Sequence, residues 1–145
     1  MSGKERFKIN LAAYLILEKD GKVLLHLRKN SGFADGFYSL VAGHLEGNET
    51  VTQAIMREAK EEAGIEIKKE DLKIVHIMHR SGNKEYIDIY LHCDHWSGEI
   101  QNLEPHKCGG LLFADKTNLP EKCLGYVKYA IEKSQRGIFF SEFGW

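Results

Sequence analysis

The stretch on which the reading of this chain turns runs from Gly43 to Ile65, GHLEGNETVTQAIMREAKEEAGI. Thr50 followed by Gln53 is a capping-box pattern, which predicts a helix starting near Thr50. Val51, Ala54, Ile55, Ala59 and Ala63 recur with helical spacing and mark its buried face, and Gly64 is placed to close it as a C-cap. Glu58, Glu61 and Glu62 fall on a different face, where like charges repel by a few tenths of a kcal/mol per pair on an exposed helix. A divalent cation relieves that repulsion, because hard ions such as magnesium take carboxylate oxygens. Arg57, four residues before Glu61, is in reach to pair with it. The bland alternative is a solvated acidic face, the usual meaning of a charge run.

Working outward, 145 residues are enough for one domain with a real core, and we expect a single domain over residues 1–145. A net charge of −1 gives no global attraction to nucleic acid or anionic membrane, so neither is an expected partner. Cys93, Cys108 and Cys123 are too far apart for a CxxC redox or zinc motif. With no apolar run in MSGKERFKIN or long enough to span a bilayer, they read as reduced thiols of a cytoplasmic protein.

Before this stretch, Phe7, Ile9, Leu11, Ala13, Leu15 and Leu17 alternate as in a strand with one buried face. Asp20-Gly21 signals a hairpin, and Val23, Leu25 and Leu27 return, ending at Arg28. A turn-rich loop and a short apolar run, Tyr38 to Ala42, lead into Gly43. After the Gly43 to Ile65 stretch, strands are expected over Ile74–Arg80, Glu85–Asp94 and Leu111–Ala114, with a final helix opened by Pro120 and running to about Gln135. The apolar tail GIFFSEFGW is expected to dock on the domain or on a second subunit. In the Glu85–Asp94 strand, Tyr86, Asp88, Tyr90 and His92 share one face. That face either floors a ligand site, making Tyr90 and His92 candidates for substrate binding, or is a hairpin face wetted by water. The pairs His76/His79 and His92/His95 are three apart on strands and point to opposite sides, so neither is a helical-type chelate for zinc.

The stretch from Gly43 resembles the signature of the Nudix hydrolase superfamily: Gly, five residues, Glu, seven residues, then Arg-Glu-apolar-any-Glu-Glu-any-Gly-apolar. Gly43, Glu49, Arg57, Glu58, Ala59, Glu61, Glu62, Gly64 and Ile65 fill it. The flanking GFADGFYSLVA and the late NLEPHKC resemble a bacterial MutT-like subgroup. The resemblance implies a Nudix-fold α/β/α sandwich, with a mixed, curved β-sheet between helices. It also implies metal binding by Glu58, Glu61, Glu62 and the backbone carbonyl of Ala42. Glu49 would be structural or a partner for the helix arginine, Arg28 would contact substrate phosphates, and Glu104 would be a late-loop metal ligand or base, with Glu99 as its rival. The entry reads Val41-Ala42-Gly43 where the common pattern is Pro-Gly-Gly, which puts the local geometry in question because Ala restricts φ.

The implied activity is magnesium-dependent hydrolysis (manganese a substitute) of a nucleoside diphosphate linked to another moiety, foremost a nucleoside triphosphate giving monophosphate and pyrophosphate. The chemistry is consistent: acidic residues bind phosphates only through bridging cations, which also neutralise charge and activate water. The expected partner is a small nucleotide, with the protein a monomer or homodimer. A catalytically silent nucleotide sensor and an RNA-decapping hydrolase are the rival readings.

Overall fold

A computed structural model describes residues 4–145 of the chain. The first three residues of the N-terminal stretch MSGKERFKIN lie outside the described residues. The first strand, β1 (Asn10–Lys19), turns at Asp20-Gly21 into β2 (Lys22–Arg28). Both turn residues have positive φ, 53° and 76°, as a tight hairpin turn requires. Two short strands follow, β3 (Tyr38–Ser39) and β4 (Val41–His44), then the helix α1 (Val51–Ala63). The hairpin β5 (Lys73–Ser81) and β6 (Glu85–Cys93) comes next, then β7 (Cys108–Asp115), α2 (Gly125–Gln135) and β8 (Phe140–Phe143).

The sheet runs β3-β2-β1-β6-β5-β8, with β4 added to β1 and β7 to β2. Pairing is mixed: β1 lies parallel to β6 and antiparallel to β4, with Tyr14 opposite both Tyr90 and Ala42. Only the last two residues of β1 pair with β2, so the sheet splits there and opens between β2 and β4. Alternate residues of β1 feed two separate cores. Ala12, Tyr14 and Ile16 pack beneath α2 with Val127, Ala130 and Ile131. Ala13, Leu15 and Leu17 pack beneath α1 with Ile55, Ala59 and Ala63. This is the expected α/β/α sandwich with a mixed, curved sheet.

Three element starts differ from the sequence expectation, each for a physical reason. β1 begins at Asn10, leaving Phe7 exposed, and it is buried on both faces because a helix covers each side of the sheet. β7 begins at Cys108, three residues early, because its backbone continues to pair with β2 through an irregularity near Arg28. α2 starts at Gly125, since residues 120–124 form a turn: the Leu124 N–H donates to the Tyr38 carbonyl, and the Tyr38 N–H donates to that of Lys122. The apolar tail docks on its own chain, β8 lying parallel to β5.

Buried His76 on β5 clips that tail, with Nδ1 2.8 Å from the Ile138 carbonyl and Nε2 2.7 Å from Ser141 Oγ. Burial holds the imidazole below its ordinary pKa, so it stays neutral where an unfolded chain takes up a proton. The stability it contributes is present above about pH 6.5 and lost as pH falls below that. Denaturation midpoints followed from pH 7.5 to 5.5 should decline, and the decline should flatten in His76→Gln; an unchanged slope would remove His76 as its source.

Candidate active site

The helix α1 begins and ends where the sequence places it. Thr50 Oγ1 accepts from the Gln53 N–H, the Gln53 side chain accepts from the Thr50 N–H, and Gly64 closes the helix at φ 71°. Its apolar face lies on the sheet, which aims Glu58 and Glu62 back over β4. The fit is tight at Gly43, where a Cβ would land on the Glu58 carboxylate. This is why the box opens with glycine. Ala42 sits in extended strand opposite Tyr14, so the Val41-Ala42 entry needs no unusual φ.

Arg57 organises the carboxylates. Its Nη2 and Nε donate to the two Glu49 oxygens at 2.9 and 3.3 Å, and its Nη1 reaches Glu58 at 2.7 Å and Glu61 at 3.4 Å. The expected pairing with Glu61 is therefore the longest of these contacts, and the fork-to-fork grip is on Glu49. That grip holds the Glu49 carboxyl below its usual range. Glu61 stays half exposed, while Glu62 is 8% exposed.

Glu62 is the electrostatic oddity of the site. Burial, and behind it the Glu58 carboxylate and then Glu104, pushes its pKa well above the ordinary value, against a stabilising Ala42 N–H. Its Oε2 is buried without a hydrogen-bond partner. A buried carboxylate oxygen left open beside two other carboxylates fits a cation that comes and goes. The surrounding cavity, about 280 Å³, is lined by His26, Arg28, Ala42, Glu58, Glu61, Glu62, Glu104 and Lys107, among others. Among the described residues no three of these side chains close into a ready-made chelate, so the donors fan across an open space. That suits magnesium, which keeps several waters and takes one or two carboxylates plus substrate phosphates.

Residues 7–117 match the NUDIX domain model. The chain belongs to the Nudix hydrolase family. Over 114 residues it is 36% identical to an ADP-ribose pyrophosphatase of Methanocaldococcus jannaschii, a match covering 78% of this chain and 66% of the relative. It is 32% identical over 111 residues to a CTP pyrophosphohydrolase of Escherichia coli, covering 77% and 76%. The chain thus spans just under two thirds of the first relative's length. The fold is also that of a MutT NUDIX hydrolase from Burkholderia pseudomallei, with a TM-score of 0.79 at 22% identity over 87% of this chain and 98% of that one.

Outside the Nudix box, Arg28 and Glu104 reach the same cavity, whereas Glu99 is not among its lining residues. Arg28 also borders a second cavity, about 240 Å³, with Tyr14, Phe33, His44, Arg80, Asn83, Tyr86 and Tyr126. The loop after β2 aims it: Nε donates to the Phe33 carbonyl at 2.8 Å and Nη2 to Ser31 Oγ at 3.1 Å.

Tyr90 and His92 line neither of these two cavities. Tyr90 is fully buried, stacked on Tyr14 at 4.8 Å under α2, and His92 lies further along β6 with Nε2 3.0 Å from Glu18. The tyrosine-rich face of β6 is therefore mostly core, covered by α2 rather than by water. Of these two cavities it meets the second, at Tyr86, above the buried pair of Arg80 and Asp88, whose Nε to Oδ2 distance is 2.6 Å. Sequence reasoning missed His26, His44, Arg80 and Tyr126, since each sits in a strand or helix whose pattern reads as ordinary core or surface.

The strain at Glu62 is measurable without turnover. Removing its buried charge in Glu62→Gln should stabilise the metal-free protein by about 1 kcal/mol in urea denaturation with chelator present. It should also abolish stabilisation by added magnesium. A destabilised variant that still responds to magnesium would show that Glu62 is a structural hydrogen-bonding residue.

Proposed function

We propose that this protein hydrolyses the phosphoric anhydride of a nucleoside diphosphate linked to another moiety, foremost a nucleoside triphosphate, releasing monophosphate and pyrophosphate. The observation that carries the reading is the placement of Arg28 between an acidic cavity and an aromatic one. A ligand with a polyphosphate at one end and a flat ring at the other matches that pair. The names of the relatives, an ADP-ribose pyrophosphatase and a CTP pyrophosphohydrolase, support a diphosphate-containing substrate.

Glu58, Glu62, Glu61 and the Ala42 carbonyl would hold magnesium, or manganese in its place. Bound there, the ion supplies charge neutralisation for the phosphates and lowers the pKa of water. The chain's own residues do the rest. Arg57 holds Glu58 and Glu49 in register, so the ligand set stays oriented when the substrate leaves. Arg28 reaches the phosphates from the cavity's edge and fixes the chain's direction. Glu104, close enough to raise the Glu62 pKa, would take the proton from the attacking water as a P–O–P bond breaks. His44, stacked on Tyr86 at 5.9 Å and 12°, and Tyr126 would flank the ring at the other end. The whole chain, residues 1–145, would act as one domain.

A panel of nucleoside triphosphates, ADP-ribose and dinucleoside polyphosphates, incubated with magnesium and resolved by product, tests the reading. Monophosphate plus pyrophosphate from at least one triphosphate is expected. Turnover of ADP-ribose alone would reassign the substrate, and no turnover of any member with magnesium or manganese would sink the reading. In Arg28→Ala we expect a loss of tenfold or more in kcat/KM, since a charged hydrogen bond to phosphate disappears. An unchanged value would return Arg28 to a role in the loop.

A further inference from the structure

His26 belongs to no box and to no step described above, yet it stands deepest among the nitrogen-bearing side chains of the acidic cavity, 8% exposed. It lies on β2 two residues before Arg28, so strand periodicity sends both side chains to the same cavity. Its Nε2 is 3.7 Å from Glu62 Oε1. That is too long for a hydrogen bond. It is close to the spacing of two donors that share one ion: with metal–nitrogen and metal–oxygen distances near 2.1 Å, neighbouring ligands stand about 3 to 3.5 Å apart. The other oxygen of that carboxylate, Oε2, is buried without a hydrogen-bond partner, so a buried imidazole and a carboxylate with an open oxygen line the same cavity, arranged as a pair of ligands.

We propose that His26 Nε2 is a metal ligand in this cavity, forming with Glu62 and Glu58 a mixed nitrogen–oxygen set that prefers manganese-type ions to magnesium. The preference follows from ligand chemistry, since imidazole nitrogen adds affinity for transition-metal ions and little for magnesium, which takes oxygen donors. The inference rests on the divalent-metal reading of the site and goes beyond it by naming a ligand outside the box and a metal preference.

The test loads the intact protein with Mn²⁺ and records pulsed electron paramagnetic resonance. A ¹⁴N coupling from a directly bound imidazole is expected, converted to ¹⁵N in histidine-labelled protein and lost in His26→Gln. Calorimetric titration should show at least tenfold weaker Mn²⁺ binding in His26→Gln, with Mg²⁺ affinity changed less than about threefold. If that variant does not fold, the labelled parent protein decides alone, because His26 is the histidine that lines this cavity. Mn²⁺ held without nitrogen coupling, or equal loss for both ions, overturns the inference and leaves the hydrolase reading standing. Binding of neither ion overturns both.

Discussion

The guanidinium of Arg57 lies within 3.4 Å of carboxylate oxygens from Glu46, Glu49, Glu58 and Glu61. Without it, the first turns of α1 and the loop before them would set several negative charges against one another in a part-buried place. With it, those four carboxylates are partly neutralised, while the third acid of the helix, Glu62, receives no such relief from Arg57. Glu49 and Arg57 brace the loop against the helix, and among the carboxylates lining the cavity Glu62 is the one with a buried, unpartnered oxygen.

That brace works only because the sheet brings β4 under the helix. β4 pairs with the middle of β1, whose two faces feed the two cores. The close approach of Glu58 to Gly43 then follows from packing Ile55 and Ala59 onto the sheet. Any side chain at Gly43 would have to push the carboxylate aside or lift the helix, and lifting it would open a core in which these residues are fully buried.

Much of the acidic half of the site was readable before any fold. The capping box, the Gly64 stop and the apolar stripe are local signals, and the spacing of Glu58 and Glu62 puts them on neighbouring turns wherever the helix lies. What local pattern does not carry is which strands the box packs against. Tyr90 and His92 looked like a ligand-facing row because alternation assigns a face without saying what covers it; α2, far along the chain, covers this one. The converse holds for His26 and Tyr126, which reach cavities only through pairings distant in sequence. Pro120 as a helix opener failed similarly, because a bridge from residues 122–124 back to Tyr38 holds that segment in a turn.

The second cavity is built on different physics from the first. Arg80 is clamped between the rings of Tyr86 and Tyr126, at 4.2 and 3.9 Å from their centroids, and paired with Asp88. Burial pushes the Asp88 carboxyl upward and the guanidinium pulls it back, so the pair holds its charge separation only while the geometry is kept. Removing one partner from such a pair typically costs about 3–5 kcal/mol, far more than a surface contact. Phe143 of β8 packs edge-on against Tyr126, so the tail strand buttresses the same clamp. The acidic cavity is lined chiefly by residues of α1 and the loops around it; the aromatic one is lined by side chains of β1, β4, β5, β6 and α2. In the proposed reading, reaction type and substrate shape therefore reside on separate elements, joined at the Arg28 loop, and substitutions around the clamp would change the ring that is accepted while leaving the carboxylates of α1 in place.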